Sequence, residues 1–154
     1  MDSIGQYLED LKSKDPTTRE KATGELWAFW HRQAGPEMER DLYEGTRLMD
    51  HRHLDEALKV FRNLIEKRPD FPEAHNKLAT LLFLMGQYEE SVKECEETLR
   101  MNPHHFGALN GMGMCLFQLH RFEEAIVSFK KALEIQPYAE INGVFIARCR
   151  GNLN

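Results

Sequence analysis

The stretch Pro72–Pro103, PEAHNKLATLLFLMGQYEESVKECEETLRMNP, decides the fold. Leu78, Leu81, Leu82 and Met85 recur at helical rather than alternating spacing. The pattern predicts one helix from about Pro72 to Met85 and a second from about Tyr88 to Met101. Gly86-Gln87 breaks the chain between them. Asn102-Pro103 closes the unit, because a proline just past a helix cannot continue it.

The unit recurs at a fixed step. Prolines stand at 69, 103 and 137, a spacing of 34. The same step links Gly45, Ala79 and Gly113, and also Leu48, Leu82 and Leu116. In the second helices it links Ala57, Ser91 and Ala125; Phe61, Cys95 and Phe129; and Ile65, Leu99 and Leu133. Each column has a physical task. The small residues let two helices approach closely, and the large ones fill the space between them. These columns resemble the tetratricopeptide repeat family, whose unit is a 34-residue helix-turn-helix.

The resemblance implies an all-α, right-handed α-solenoid of three repeats, at 37–71, 72–105 and 106–139, in one structural domain. Residues 1–36 read as N-terminal helices covering the first repeat, and 140–154 as a capping helix and tail. The third unit follows the family pattern most fully. The second departs at His75, where a tryptophan is common, and at Thr98. The first departs most, with Asp41 and Glu44 at positions the family buries.

Outside the repeats, Asp2 or Ser3 can cap a short helix carrying Ile4, Tyr7, Leu8 and Leu11. Thr17 with Glu20 has capping-box spacing and predicts the start of a second helix. That helix carries Leu26, Trp27, Phe29 and Trp30 and stops at Gly35-Pro36. An aromatic cluster of this density needs a surface, and the expectation is a lid on the first repeat. A partner anchor is the alternative. Glu25-Leu26-Trp27, Trp30 and Ala34-Gly35 ahead of three repeats, with His105-Phe106-Gly107-Ala108-Leu109 opening the third, resemble short tetratricopeptide proteins of bacteria and plant plastids. After Pro137, the apolar residues Ile141, Val144, Phe145, Ile146 and Cys149 predict the terminal helix. Asn142-Gly143 weakens its start, and Asn152–Asn154 are expected to fray.

The formal net charge of -5 disfavours a general binder of nucleic acid or anionic membrane. No apolar run reaches the roughly 18 residues of a membrane span. The charged, acid-containing start fits neither a secretory signal nor a transit peptide. The expectation is an intracellular, cytoplasmic protein, or one of the plastid stroma if a transit segment has been removed. Cys95, Cys115 and Cys149 have no metal or redox spacing and read as small buried hydrophobes. His51, His53, His104 and His105 complete no ligand set, so no metal or cofactor is expected. No phosphate loop, nucleophile elbow or catalytic carboxylate pair is present, and no catalytic residue is assigned.

In the tetratricopeptide family the first helices line a concave groove. Carried onto this chain, the lining comprises Leu42, Thr46, Met49, Asn76, Lys77, Thr80, Phe83, Asn110, Met114 and Phe117, with Gly107 and Gly111 allowing close approach. Asn76 and Asn110 share a column, and an amide can both donate to and accept from a peptide backbone. Some members clamp the acidic C-termini of chaperones with cations. At the matching positions Leu42, Thr46, Lys77, Gly107 and Gly111 only Lys77 is cationic, so the carboxylate clamp is absent. The acidic run Glu89, Glu90, Glu94, Glu96 and Glu97 reads as a solvated convex face or a dock for a basic partner. The expected function is a non-catalytic scaffold holding a partner peptide or helix. The alternatives are a self-associating homo-oligomer and, less favoured, an RNA-binding helical repeat.

Overall fold

The computed structural model describes residues 2–154. Among these residues nine helices follow one another: α1 (Ser3–Asp10), α2 (Pro16–Arg32), α3 (Pro36–Asp50), α4 (Leu54–Lys67), α5 (Pro72–Leu84), α6 (Tyr88–Met101), α7 (Phe106–Gln118), α8 (Phe122–Ile135) and α9 (Glu140–Leu153). The pairs α3–α4, α5–α6 and α7–α8 are the three repeats, and α9 packs on α8. The first helices α3, α5 and α7 also touch one another directly and form the inner layer.

The small and large columns meet as their sizes require. A Cβ placed on Gly45 would lie 2.4 Å from the Phe61 ring, and one on Gly113 would lie 2.7 Å from the Phe129 ring. Both rings are fully buried. Each glycine therefore serves as the seat of an aromatic ring from the partner helix. In the middle unit the same places hold Ala79 and Cys95, a larger seat under a smaller side chain.

The turns inside the units also share one geometry. Arg52, Gly86 and His120 hold positive φ angles of 65°, 76° and 59° and stand 34 residues apart. The next residue's amide reaches back to close the first helix: His53 to Leu48 at 2.8 Å, Gln87 to Leu82 at 2.9 Å, Arg121 to Leu116 at 2.9 Å. The middle unit places a glycine where the left-handed conformation requires one. The outer units carry side chains there, at about 1–2 kcal/mol each.

The N-terminal helices depart from expectation. Asp15, not Thr17, caps α2: its carboxylate accepts from the amides of Thr17 and Thr18, and Pro16 occupies the first helical position. Trp27 and Trp30 do not lie over the first repeat. They pack on His105 and Phe106 at the start of the third, with Trp30 stacked on the His105 ring at 4.4 Å. Leu11, Ala22 and Leu26 complete this cluster, and Ile4, Tyr7, Leu8 and Ile135 flank it. Arg19 lies over Tyr138, ahead of α9, at 4.0 Å. Helix α2, about 25 Å long at 1.5 Å per residue, is thus a strap. It passes from the start of α9 along the starts of α7 and α5 to its junction with α3. The physical reason is supply and demand of apolar surface: the α7 end offers Phe106, whereas the first repeat exposes charge. Asp41 pairs there with Lys67 at 3.7 Å, and Glu44 with Arg47 at 2.7 Å.

Two further sequence expectations change. Helix α9 runs unbroken through Asn142-Gly143 to Leu153, because Asn142 is buried and accepts a hydrogen bond from Asn110. The acidic run on α6 is largely paired: Glu89 with Arg121, Glu90 with Arg62, Glu94 with His75 and Glu97 with Arg100. His75, in the family's tryptophan place, is buried with both ring nitrogens facing acceptors, Glu94 at 2.7 Å and the Pro69 carbonyl at 3.0 Å.

Burial alone would lower the His75 pKa, but the hydrogen bonds to Glu94 and Pro69 and the charges of Glu94 and Glu97 raise it above its ordinary 6.5. A raised folded pKa stabilises fully below the unfolded value, and that stabilisation is lost as pH rises through the folded one. Urea melts from about pH 6 to about pH 9 are expected to show stability falling in the wild type and a flatter profile in His75→Gln. Gly113→Ala is expected to destabilise by about 1–3 kcal/mol in the same melts, because Phe129 has nowhere to move.

Candidate binding groove

The inner layer builds a cleft between α5 and α7. It is lined by Asn76, Ala79, Thr80, Phe83, Gly107, Asn110, Gly111 and Met114, with Ser91 and Cys95 of α6 as its floor, and its volume is about 210 Å³. Of the residues assigned to the groove from sequence, this cleft gathers Asn76, Thr80, Phe83, Asn110 and Met114. A second, wider hollow of about 580 Å³ lies beside α3, lined by His31, Glu39, Arg40, Tyr43 and Thr46.

The remaining assigned residues lie elsewhere. Leu42 and Met49 are core, packed with Phe61, Phe71 and Leu78 between α3, α4 and α5. On α3 the open positions are Tyr43, 72% exposed, and Thr46. Phe117 serves the terminal helix, meeting Phe122 and Phe145 edge-on at 5.5 Å each. Lys77 lies 4.0 Å from the Glu73 carboxylate and 5.9 Å from the Trp27 ring, beneath the strap.

The paired amides are partly committed within the chain. Asn76 donates to Glu73 at 3.0 Å, and Asn110 donates to Asn142 at 2.8 Å. They brace the cleft walls as well as facing it. Helix geometry fixes the hydroxyl next to Asn76: Thr80 bonds the Asn76 carbonyl at 3.1 Å and remains exposed at the rim.

Beneath the strap end of the cleft lies a fully buried pair. Glu73 accepts from His105 Nε2 at 2.7 Å, while His105 Nδ1 accepts from the Ala108 amide at 3.0 Å and caps α7. This network assigns the ring proton to Nε2. Burial pushes the Glu73 carboxyl up, but the hydrogen bond from His105, the Lys77 ammonium and the Asn76 amide together hold it below the usual carboxylate value. Its position in the first turn of α5 adds the favourable end of the helix dipole. A depressed folded pKa means that this pair stabilises above the ordinary carboxylate range and gives way only in acid.

The glycines on this face differ in use. A Cβ on Gly107 would lie 2.6 Å from the Trp27 ring, so the strap occupies that space. A Cβ on Gly111 would meet nothing closer than the Cys95 sulfur at 3.8 Å, so that space is open. Sequence reasoning missed Tyr43 and Cys95 as lining residues. Tyr43 could have been found, because it shares a column with Lys77 and Gly111. Cys95 carried the signal of a missing phenylalanine. Among the described residues, no helix is long and apolar enough to cross a membrane.

This geometry has counterparts among known proteins. The chain is 27% identical over 105 residues to a TPR repeat-containing protein of Rhizobium etli; the match covers 68% of this chain and 52% of the relative, so the chain spans about half that protein's length. The fold matches the first TPR domain of Spaghetti (RPAP3) bound to the HSP90 peptide SRMEEVD, with a TM-score of 0.73, 18% identity and coverage of 75% of this chain and 92% of that one. It also matches the Sgt2 TPR domain from Aspergillus fumigatus, with a TM-score of 0.72, 17% identity and coverage of 77% and 80%. A family model described as anaphase-promoting complex, cyclosome, subunit 3 matches residues 50–132, more than half of the chain. The repeat columns, the paired helices and this match together make the chain a member of that tetratricopeptide-repeat family.

Proposed function

We propose that this protein is a non-catalytic scaffold that holds a segment of another protein along the inner face of its repeats. The observation that carries the reading is the open inner row. Tyr43 and Thr46 on α3 line one hollow, and Thr80 on α5 with Gly111 and Met114 on α7 line the other. Such a row supplies hydroxyl and apolar contacts on rigid helices, which lowers the ordering cost of binding. A structural neighbour bound to an HSP90 peptide supports a peptide as the ligand class.

The expected test is affinity capture with the purified chain, comparing an inner-face variant with an outer-face one. Thr80→Arg puts a long cation into the cleft from an exposed position. Lys93→Glu reverses a charge on the exposed side of α6. Proteins retained by the wild type and by Lys93→Glu are expected to be lost by roughly tenfold or more on Thr80→Arg. Equal retention by both variants, with unchanged melting, rejects the groove.

Self-association is a second reading, favoured by one feature. Ile141 and Val144 on α9 are about half exposed, at 52% and 46%, at the end of the array. Light scattering across the micromolar range is expected to show a concentration-dependent mass if this end pairs. A constant monomer mass rejects it.

A further inference from the structure

Cys95, which floors the cleft between α5 and α7, stands where the outer units carry a buried ring. In the outer units a buried phenylalanine, Phe61 or Phe129, fills the space between the two helices. The middle unit has Cys95 at that place, and Gly111 faces it from α7 without a side chain. Between them lies a slot with Ala79, Phe83 and Met114 for walls and Cys95 for a floor.

Charge decides what the slot accepts. None of its lining residues is Lys, Arg, Asp or Glu. Lys77, the one cation carried at a clamp position, lies against Glu73 and under Trp27. The strap also fills the space over Gly107. An entering carboxylate would lose its water and meet no compensating charge, whereas an apolar side chain loses only unfavourable hydration. The Thr80 hydroxyl at the rim and the half-buried Asn110 amide suit the backbone on either side of such a residue.

We infer that this slot binds one uncharged, branched or unbranched aliphatic side chain from the interior of a partner's chain, not an acidic chain terminus. The inference rests on the groove reading above and names the chemistry of its ligand.

The test uses the 15N-labelled chain and two small probes, N-acetyl-leucine methylamide and N-acetyl-aspartate methylamide, in the millimolar range. The leucine probe is expected to shift the amide signals of Thr80, Gly111 and Met114 saturably, and the aspartate probe to leave them in place. Gly111→Ala places its Cβ in ordinary contact with Cys95 and is expected to retain the response. Gly111→Leu fills the slot from α7 and Cys95→Leu fills it from the floor. Each is expected to weaken the leucine response by roughly tenfold or more. No saturable shift with the leucine probe, an equal or larger response to aspartate, or a full response in Gly111→Leu overturns the inference. If the probe response fails while Thr80-dependent capture persists, the slot is wrong and the groove stands. If both fail, the groove reading fails with it.

Discussion

An aromatic ring seated on a glycine sets the spacing of this array. Phe61 on Gly45 and Phe129 on Gly113 bring the two helices of a unit together at a distance that no Cβ would allow. The repeat then propagates through α3, α5 and α7, whose mutual contacts form the inner face. The middle unit lacks the ring and has Cys95 in its place. What would be a core defect in an isolated helix pair is here a recess opening onto the inner face. Packing cost and binding capacity thus share one origin.

The strap limits how much of that face is open. Trp27 and Trp30 cover the start of the third unit, and Gly107 receives the edge of the Trp27 ring. Below them, Glu73 and His105 form a buried pair, each fully used: His105 bonds Glu73 on one side and the Ala108 amide on the other. These polar groups are spent on holding α5, α7 and α2 together. Removing one member of such a pair leaves the other buried and unsatisfied, so this end of the groove is structural.

The helical pairs and their register were legible in the sequence because each column repeats a size or a charge at one interval. Pro69, Pro103 and Pro137 marked the stops, and Gly86 marked the middle turn. The equivalent turns at Arg52 and His120 were not marked by composition, since their left-handed backbone is imposed by the fold. Thr80, Asn76, Asn110 and Met114, assigned through the family resemblance, line the cleft between α5 and α7. Leu42 and Met49, assigned in the same way, lie in the core, because an apolar residue at a lining position reads the same whether it faces a groove or a core. The destination of Trp27 and Trp30 was illegible for a different reason. An aromatic stripe shows that a surface is needed, but not which of several distant surfaces supplies it.

That distant destination changes how the array can form. A repeat protein whose units touch only their neighbours can nucleate anywhere and grow by short-range steps. Here Arg19 must find Tyr138 across most of the chain, and Trp30 must find His105 across about half of it. These contacts raise the contact order of the chain above that of an array whose units touch only their neighbours, and they tie the N-terminal helices to the far end of the array.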